Sequence, residues 1–598
     1  MDFTTAKEQK DSDKIILVEV DIGRFQQEWL NYCAGIWYYR FNTFKQDQEH
    51  SFGYGNFCFG SFGSSGTFDS GIKFIPFDIK SCFVDGEEYS EASSIVNLIA
   101  TNKSWYYDRG ETEFYIHIDK FEDPRLHKII LGITLGLSNK AKYINNGYYE
   151  PKIKGHPVIS KTKDPLEFGI IRFDGGSLTL NNEDGFFDNF TDIVVFGQPA
   201  RILYGIDDLD GTEMAYSDYK KISKSYIETI NIKWLECLLG LVDYRKLLSR
   251  KIPINVYDKT TYPYLADRNI GKSISLGWGT IYNAPVICIN DEESSPSNYS
   301  FKICDVSDHS YGIKAIDQVY VGDVKVNHSN GNLTGATFTL STTDYKPGQK
   351  VTCDYRGYVN ESSELIDNSL DILEDILYTY LAIPYNSEYF NQTEWDEAKS
   401  KAFDIGLFLE KPEKITEIIE KTALSNFGNF IILDDGRYTF RILDRTASAS
   451  KTVLLNEYFD EPEIDFDGKK FISKIRIGYA RDYGNNEYRW YQDDSLEDRI
   501  VAEYKKHSDR DFETYLTNEA DAKTLAEKFM DLMKKVRGTI KTRTGIQNIE
   551  FEVSDVVNLT LDRRDRTWKG PLKTEIIGLK KDLLGTGKVS IEGLVIED

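Results

Sequence analysis

The sequence predicts a mainly β fold with α+β elements, divided among several domains. The chain has 598 residues, and one hydrophobic core rarely serves so long a chain, so about three to five domains are expected. It contains 38 Tyr and 34 Phe but only 4 Met, and many short runs mix aromatic with β-branched residues, which favours strands. Asp-Gly pairs lie among these runs and are typical of hairpin turns, because glycine supplies the positive φ that such turns need.

The composition is that of a soluble globular protein and argues against a nucleic-acid binder or a membrane-spanning protein. Hydrophobic residues make up 40% of the chain and charged residues 28%, as in soluble globular proteins. The formal net charge of −24 argues against a general nucleic-acid binder, which would carry basic patches, but it allows a conduit that DNA passes without binding. No apolar run approaches the ~20 residues of a membrane-spanning helix, and the polar first residues do not resemble a signal peptide.

The first predicted domain, residues 1–160, is rich in strands. Residues 1–13 are polar and are expected to form a disordered or docking arm. Strand patterns begin at residues 15–22 and continue with the aromatic run at residues 36–41. An Asp-Gly turn within residues 83–89 predicts a hairpin. Exposed aromatics in such a domain could bind sugar, but packing of a β core is the favoured explanation.

The second and third predicted domains, residues 161–255 and 256–360, are also built from strands. Alternating or apolar runs bounded by glycine and asparagine predict the individual strands. These runs are residues 169–173, 177–180, 197–205 and 227–232 in the second domain and residues 318–326, 337–340 and 350–355 in the third.

An acidic turn at residues 181–188 raises the question of calcium. An EF-hand loop needs an oxygen ligand at its first position and Glu at its twelfth. Placing Gly185 or Gly211 at the sixth position puts Leu180 or Ile206 at the first, so this type of loop does not fit. An irregular calcium site stays open as a hypothesis.

Residues 266–273 match a relaxed phosphate-binding loop ending in Gly271-Lys272-Ser273. Such a loop requires a hydrophobic strand before it and a helix that begins at the Gly-Lys-Ser, so that backbone N–H groups converge on phosphate. Residues 260–264 contain a proline, residues 274–279 contain two glycines, and the first glycine of the motif is missing. The sequence therefore argues against nucleotide binding and against a nucleotide-driven motor.

The fourth predicted domain, residues 361–470, combines helices with a hairpin. An amphipathic helix fits residues 368–383, and a second helix is expected to start with Thr393 as its N-cap. The clearest pattern in the chain is the unit at residues 411–444.

In that unit, Pro412 suits the first turn of a helix, and Ser425-Asn426 and Gly428 are expected to end it. Four apolar residues between them share one helix face, namely Ile415, Ile418, Ile419 and Ala423. A buried strand, the turn Asp434-Asp435-Gly436 and a return strand at residues 438–442 complete the prediction.

The last predicted domain, residues 471–598, contains a long helix between strands. The helix fits residues 518–535, with five apolar residues facing inward, namely Ala522, Leu525, Ala526, Phe529 and Leu532. The predicted strands are residues 474–479, 546–551, 556–561, 575–579 and 589–594.

Taken in order, these motifs resemble the tail-hub proteins (baseplate hub or tail-tip proteins) of tailed phages and related injection systems. The unit at residues 411–444 is similar to the segment that lies between two related barrel domains in that family. The Asn-x-Asp-Gly-x-Phe-Asp run at residues 182–188, with Gly-x-x-x-Arg-Ile-x-x-Gly at 197–205, resembles the first barrel. Val553-Ser554-Asp555-Val556-Val557 resembles the closing barrel, although Ser554 replaces a common glycine. The resemblance spans about residues 160–598.

The resemblance implies two tail-tube-like β-barrel hub domains, at residues 161–255 and 471–598, plus accessory β domains. It also implies a structural, non-enzymatic virion component that forms a homotrimeric ring, joins the tail tube to the tail tip and encloses the DNA channel. Its expected partners are copies of itself, the tail tube protein, distal tail and other baseplate proteins and the tape measure protein, with DNA only in transit. We expect assembly in the cytoplasm of the host bacterium. The alternative is a carbohydrate-binding or carbohydrate-cleaving tail adhesin.

Residues that could carry chemistry form no recognised constellation. The seven cysteines are scattered without a Cys-x-x-Cys pair, which predicts free thiols and a reducing cytoplasm. The seven histidines are isolated, no His-Glu-x-x-His occurs, and no Gly-x-Ser-x-Gly elbow occurs. We therefore predict no catalytic, cofactor-binding or metal-binding residues. With 96 acidic residues, a carboxylate pair of the glycosidase kind stays open.

Overall fold

A computed structural model describes the fold for most of the chain. The described residues are 13–27, 31–33, 36–40, 78–84, 87–94, 97–98, 103–108, 113–117, 129–144, 147–155, 158–164, 168–174, 176–188, 196–207, 214–562, 569–582 and 587–597. The predicted fold class is confirmed: the protein is mainly β, with several sheets and some helices. The predicted N-terminal arm, except for Asp13, and the Asp85-Gly86 turn lie outside the described residues.

The largest sheet contains 15 of the described strands. In order across the sheet they are Ile153–Gly155, Ser177–Asn181, Glu236–Val242, Lys220–Ile232, Pro199–Asp207, Asp13–Gln27, Ile129–Ser138, Asp78–Val84, Glu87–Glu91, Ser104–Asp108, Glu113–His117, Ile36–Arg40 and Asn31–Cys33, with Gly147–Pro151 paired with Ile129–Ser138, and Lys142–Ile144 paired with Gly147–Pro151. The Asp13–Gln27 strand lies between Pro199–Asp207 and Ile129–Ser138 and is antiparallel to both. Strands of the predicted first and second domains are therefore hydrogen-bonded to each other.

A second sheet contains eight described strands, which come from residues 158–174 and residues 452–595. Across it lie Arg172–Asp174, Val158–Thr162, Lys569–Asp582, Lys588–Val595, Gly538–Gly545 and Glu463–Phe466, with Val556–Asp562 paired with Lys569–Asp582, and Thr452–Val453 paired with Val556–Asp562. These two parts of the chain are joined by an antiparallel pair of strands, in which Val158 lies opposite Asp582 and Thr162 opposite Gly578. A strand from near residue 160 thus belongs to a sheet built mostly from residues after 450.

These two sheets share one hydrophobic core. Leu17 and Ile202 of the first sheet and Ile540 and Leu559 of the second are fully buried in the same cluster. Burying a large apolar side chain stabilises a fold by about 1.5–3 kcal/mol, so the two sheets stabilise each other.

Most of the residues from 248 to 533 form an α/β body with its own core. Its seven-stranded sheet has the order Val324–Val326, Ile313–Val321, Val351–Tyr358, Thr280–Pro285, Lys474–Asp482 and Glu487–Asp493, with Asp509–Glu513 parallel to Lys474–Asp482. A four-stranded sheet has the order Ile287–Cys288, Asn298–Lys302, Thr337–Ser341 and Ser329–Asn332. The two-stranded pairs are Lys251–Ile252 with Glu413–Lys414, Leu276–Trp278 with Leu407–Leu409, and Gly428–Ile432 with Tyr438–Ile442.

The described α-helices of this body are Ser369–Leu381, Gln392–Lys399, Ile415–Ser425, Glu497–Tyr504 and Glu519–Met533. The predicted long helix is confirmed as Glu519–Met533. Asn518 caps it, since its side chain accepts a hydrogen bond from the N–H of Asp521 at 2.9 Å. All five residues predicted to face inward are buried. None of the described helices is long and apolar enough to cross a membrane.

The 411–444 unit forms as a helix and a hairpin, but its helix starts later than predicted. The helix begins at Ile415, because Glu413–Lys414 instead pairs as a short strand with Lys251–Ile252. The backbone N–H of Lys414 is then 3.3 Å from a carboxylate oxygen of Glu417, which caps the helix. Placing Pro412 inside the first turn was therefore wrong.

The same helix ends at Ser425 with Asn426 as its C-cap, as predicted, but Gly428 does not have the predicted role. Phe427, not Gly428, adopts the left-handed conformation that follows the helix, with φ of 55°. Gly428 begins the next strand, where a Cβ would lie 2.5 Å from the ring of Phe440. This glycine is needed for close packing rather than for its conformational freedom.

Two further local predictions were wrong. Residues 546–551 are not a strand: Ile546–Asn548 is a 3-10 helix, and Asn548 holds it by donating to Glu457 at 3.0 Å. The helix predicted to start after Thr393 has Asn391 as its N-cap and includes Thr393 in its first turn.

Candidate functional site

The hairpin of Lys220–Ile232 and Glu236–Val242 ends in an exposed apolar tip. We call Lys233, Trp234 and Leu235 the hairpin tip. Trp234 is 94% exposed and Leu235 is 59% exposed, so two neighbouring apolar side chains lie at the surface of the described residues. The tip is locally ordered by a hydrogen bond from the N–H of Lys233 to the carbonyl of Glu236 at 2.8 Å.

The acidic turn at residues 181–188 supports the hairpin tip. The N–H of buried Asn182 donates to the carbonyl of Leu235 at 3.0 Å, and its side-chain amide donates to the carbonyl of Lys233 at 3.0 Å. The side-chain oxygen of Asn182 accepts from the N–H of Phe187 at 2.8 Å. The turn that sequence reasoning considered for calcium therefore braces the base of the tip.

The carboxylates of this turn have protein partners. Asp184 lies 2.5 Å from the ammonium group of Lys152, and Glu183 lies 3.3 Å from that of Lys154. Asp188 accepts from the side-chain amide of Asn182 at 2.9 Å. Burial opposes ionisation of Asp184, but the hydrogen bond and charge of Lys152 prevail and lower its pKa.

A cavity of about 470 Å³ lies next to the phosphate-loop-like segment. We call it the basic cavity, because its lining contains Arg268, Lys272, Lys350 and Lys411 and one carboxylate, Glu410. Arg268 also forms an ion pair with buried Asp291. Its apolar walls come from Val286, Ile287, Phe301 and Val351, among others. Cationic groups around an apolar floor suit a partner that is apolar and either anionic or electron-rich.

The phosphate-loop-like segment itself does not have phosphate-loop geometry. Asp267–Asn269 is a short 3-10 helix, and Gly271 follows in a turn with φ of 78°. No α-helix begins at Gly271-Lys272-Ser273, a stretch that the structure describes completely. The ammonium group of Lys272 donates to the side chain of Asn269 at 2.8 Å.

A buried ionic network joins the hairpin turn at Asp434 to the second sheet. Lys161 lies 2.7 Å from Asp434 and 2.7 Å from Glu552, and Lys581 forms a further ion pair with Asp434. The backbone N–H of Asp434 donates to Glu552 at 2.9 Å. We call Lys161, Asp434, Glu552 and Lys581 the ionic junction; their side chains are at most 12% exposed.

Burial opposes charge in the ionic junction, but the ion pairs keep most of it ionised. Burial acts to lower the pKa of Lys161, and Asp434 and Glu552 outweigh it and raise this pKa. Burial acts to raise the pKa of Asp434, and Lys161 and Lys581 outweigh it and lower this pKa. For Glu552, burial and the charge of Asp434 prevail and raise the pKa to about 7.

The same contact region holds three more ion pairs. Arg441 lies 2.9 Å from Glu394 and 2.6 Å from Asp555. Lys163 pairs with Glu575, and both side chains are almost fully buried. Because removal of one partner leaves a buried charge uncompensated, this region fixes how the α/β body meets the second sheet.

Five cysteines and His309 are buried in the protein core. Five described cysteines are buried free thiols, as predicted, and burial raises the pKa of each, namely Cys82, Cys237, Cys288, Cys304 and Cys353. Neutral thiols are poor nucleophiles. His309 is buried, lies 2.9 Å from Asp375 and stacks on Tyr358, which is a core packing arrangement.

One group of potential metal ligands forms at the surface. Ligand atoms of Glu497, His507 and Asp509 lie within 4.8 Å of one another, with His507 3.1 Å from Glu497. Sequence spacing did not indicate this group, because Glu497 starts a helix and Asp509 starts a strand. Lys474 and Arg510 line the same concavity as Asp509 and oppose a cation there.

Several solved structures are similar to this chain. One is from the virion of a native gene transfer agent particle, with 12% identity, 59% of this chain and 91% of that chain covered, and a TM-score of 0.38. Another is a tail protein from Neisseria meningitidis MC58, with 8% identity, coverage of 77% and 96%, and a TM-score of 0.36. A third is the 43 kDa tail protein of prophage MuSo2 from Shewanella oneidensis, with 11% identity, coverage of 76% and 97%, and a TM-score of 0.35.

No family model matches the chain, and no curated protein matches it.

Sequence reasoning named no site residues, and it missed both the hairpin tip and the ionic junction. The tip had a signal, since Lys-Trp-Leu-Glu at residues 233–236 connects two alternating strands. The ionic junction had none, because its members come from residues 161, 434, 552 and 581.

Proposed function

We propose that this chain is a structural tail protein that serves as a tail hub. Three copies form a ring that joins the tail tube to the tail tip and encloses the DNA channel. The motif order from residue 160 to residue 598 supports this role. The observation that carries it is the pairing of Val158–Thr162 with Lys569–Asp582, which brings the first and last β-rich regions side by side.

Two adjacent β-rich regions in one chain would allow a three-fold ring to match a six-fold tube. If each corresponds to one tube-like barrel, residues 161–255 and 471–598 imitate two tube subunits. Three chains then present six such units, and a six-fold tube can stack on a three-fold ring. The shared hydrophobic core and the ionic junction favour a fixed relation between the two units.

The proposed hub role implies specific binding partners and a place of assembly. The partners are two further copies of the chain, the tail tube protein, distal tail and other baseplate proteins and the tape measure protein. The chain assembles in the host cytoplasm and functions in the virion. Its net charge of −24 suits a channel that DNA crosses by repulsion, and no enzymatic step is required of it.

Labelling of intact particles tests this role. An epitope is added at the carboxyl end of the chain, and purified particles are imaged with a gold-conjugated antibody. Label at the junction of tail tube and tail tip is expected. Label on the head or along the tail, or particles without label, would reject the hub role. Particles that carry the epitope on a head protein provide the matched control.

A further inference from the structure

We propose that the ionic junction forms an isopeptide bond, an amide between the side-chain nitrogen of Lys161 and the side-chain carboxyl carbon of Asp434. The bond would join the Val158–Thr162 strand of the second sheet to the hairpin turn that contains Asp434. Both reacting groups belong to one chain, so the inference does not rest on the proposed hub role.

The two reacting groups lie within reach of each other. The Nζ atom of Lys161 lies 2.7 Å from Oδ1 of Asp434. One C–O bond of about 1.23 Å separates Oδ1 from Cγ, so Nζ is at most about 4 Å from the carbon that it would attack, close to the ~3–3.5 Å of reactive pairs. Oδ1 of Asp434 is buried and accepts no directed hydrogen bond from a described residue, so an ordinary hydrogen bond does not fix this approach of Nζ.

The site is shielded from water. The four side chains of the ionic junction are at most 12% exposed. Water competes with an amine for a carboxyl group and hydrolyses the amide product, so an enclosed site favours the bond. Asp434 is the most exposed of the four, which leaves a path for the water molecule that the reaction releases.

Glu552 lies where a base is needed. Its Oε2 atom is 2.7 Å from Nζ of Lys161, which is within hydrogen-bonding reach of the nucleophile. Its Oε1 atom accepts from the backbone N–H of Asp434 at 2.9 Å, so the base is held against the turn that carries the carboxyl group. Burial and the charge of Asp434 raise the pKa of Glu552 to about 7, which suits a group that takes and returns a proton near neutral pH.

Lys581 completes the site at the other carboxyl oxygen. Its ammonium group pairs with Oδ2 of Asp434, and its side chain is almost fully buried. A cation at this oxygen stabilises the negative charge that builds up on the carboxyl group during attack. After the bond forms, Asp434 carries no charge, and Lys581 and Glu552 remain as one cation and one anion.

The reaction needs no cofactor or oxidant. The ammonium group of Lys161 gives one proton to Glu552, and the lone pair of the resulting amine forms the C–N bond at Cγ of Asp434. One carboxyl oxygen then takes a proton from the attacking nitrogen and a second proton from Glu552, its bond to Cγ breaks, and it leaves as water. The ammonium and carboxylate groups thus become one amide and one water molecule, and Glu552 returns to its starting state.

The ion pairs favour the charged form of Lys161. Asp434 and Glu552 raise its pKa against the effect of burial, so the neutral amine is a minor species. Bond formation should therefore be slower than folding. A freshly refolded chain holds the ionised junction, and the bonded form accumulates on incubation because the enclosed amide is protected from hydrolysis.

A neighbouring ion pair provides a comparison within the same chain. Lys163 pairs with Glu575, and both side chains are at most 3% exposed. Lys163 forms no ion pair with a second carboxylate among the described residues, so its nitrogen has no separate base beside it. We expect no bond between Lys163 and Glu575.

Mass spectrometry of the full-length chain, purified and incubated at neutral pH, tests the bond. The denatured chain is expected to weigh less than its sequence by one water molecule. Trypsin should then release residues 155–163 joined to residues 422–437, because a bonded Lys161 is no longer cleaved. Fragmentation of this joined peptide should place the link between Lys161 and Asp434.

Three results would overturn the proposal. One is a chain with the full mass of its sequence. Another is a loss of water without joined peptides, which a succinimide at Asp435-Gly436 would give. The third is a link that uses Lys581 or Lys163 in place of Lys161.

Substitutions test the roles of the groups. Lys161→Arg keeps the cation but removes the primary amine, so it should abolish the loss of water. Glu552→Gln keeps an oxygen that can accept from the N–H of Asp434 but removes the base, and it should slow the appearance of the joined peptide by at least about tenfold. Lys163→Arg is the matched control and should form the bond as fast as the wild type.

Two outcomes of the substitutions would contradict the proposed chemistry. They are bonding at the wild-type rate in Glu552→Gln and loss of water in Lys161→Arg. If a variant does not fold, the joined peptide of the wild type decides the question.

Discussion

The ionic junction and the hairpin tip differ in what they bury. The ionic junction buries charged side chains, and the hairpin tip leaves apolar side chains exposed. In the ionic junction, Lys161 and Lys581 are at most 3% exposed and each contacts a carboxylate. In the hairpin tip, Trp234 is 94% exposed. The ionic junction buries charged groups that water would otherwise solvate, and the hairpin tip exposes an apolar ring to water.

The difference indicates which contacts are complete within one copy. The charges of the ionic junction are compensated inside the chain, so its contribution is to folding. The hairpin tip leaves its apolar side chains exposed among the described residues, so its contribution to folding is small. Variants in the first region should therefore change stability, and variants in the second should leave stability nearly unchanged.

The largest effect on stability is expected from Asp434→Ala. The change leaves Lys161 and Lys581 buried with Glu552 as the remaining carboxylate of the network, and breaking a buried ion pair costs about 3–5 kcal/mol. Asp435→Ala in the same turn is the matched control, because its pair with Arg437 is partly exposed and should contribute less than about 1 kcal/mol. Denaturant unfolding of both variants measures the difference. Equal losses would contradict the compensating role of Asp434.

A pH dependence should come from Glu552. Its pKa in the folded protein is raised to about 7 from an ordinary value of 4.5. A group with a raised pKa stabilises the fold below its unfolded pKa, and this stability is lost as the pH rises through the folded pKa. The unfolding free energy of the wild type should therefore fall between pH 4.5 and 7 more than that of Glu552→Gln.

The window for Glu552 is separate from that of Asp434, whose pKa is lowered below 3.8 and whose contribution is lost only in stronger acid. Parallel stability curves for the wild type and Glu552→Gln between pH 4.5 and 7 would contradict a shifted Glu552.

A smaller loss is expected from Gly428→Ala. The new Cβ would lie 2.5 Å from the ring of Phe440 and 2.9 Å from the carbonyl of Arg441, and overpacking of this kind costs about 1–3 kcal/mol. Gly468→Ala is the matched control, since a Cβ there meets nothing within 4 Å. Thermal unfolding measures both. A Gly428→Ala variant as stable as its control would show that the hairpin relaxes freely.

The smallest effect on stability is expected from Trp234→Ala. An exposed side chain contributes within about 0.5 kcal/mol to folding, so the melting temperature measured under dilute conditions should match the wild type. A marked loss of stability would show that the hairpin tip packs within its own chain and would remove the contrast with the ionic junction.

Local patterns predicted the elements whose signals lie close together in sequence. The long helix at Glu519–Met533 and the return strand Tyr438–Ile442 formed where periodicity placed them. Predictions failed where a distant segment decided the outcome. Lys251–Ile252 recruits Glu413–Lys414 as a strand and delays the helix after Pro412.

The candidate sites were harder to predict than the elements. The ionic junction depends on residues separated by more than a hundred positions, and no short motif marks them. The basic cavity was considered only as a nucleotide loop, because its other lysines lie far from Lys272 in sequence. The hairpin tip alone was visible locally.

The native mass and shape of the purified chain test the central claim most directly. Light scattering combined with negative-stain imaging reports both. A three-fold ring with a central channel is the predicted result for the wild type. A wild-type chain that forms closed rings of another symmetry, or that stays monomeric together with its tail partners, would contradict the account.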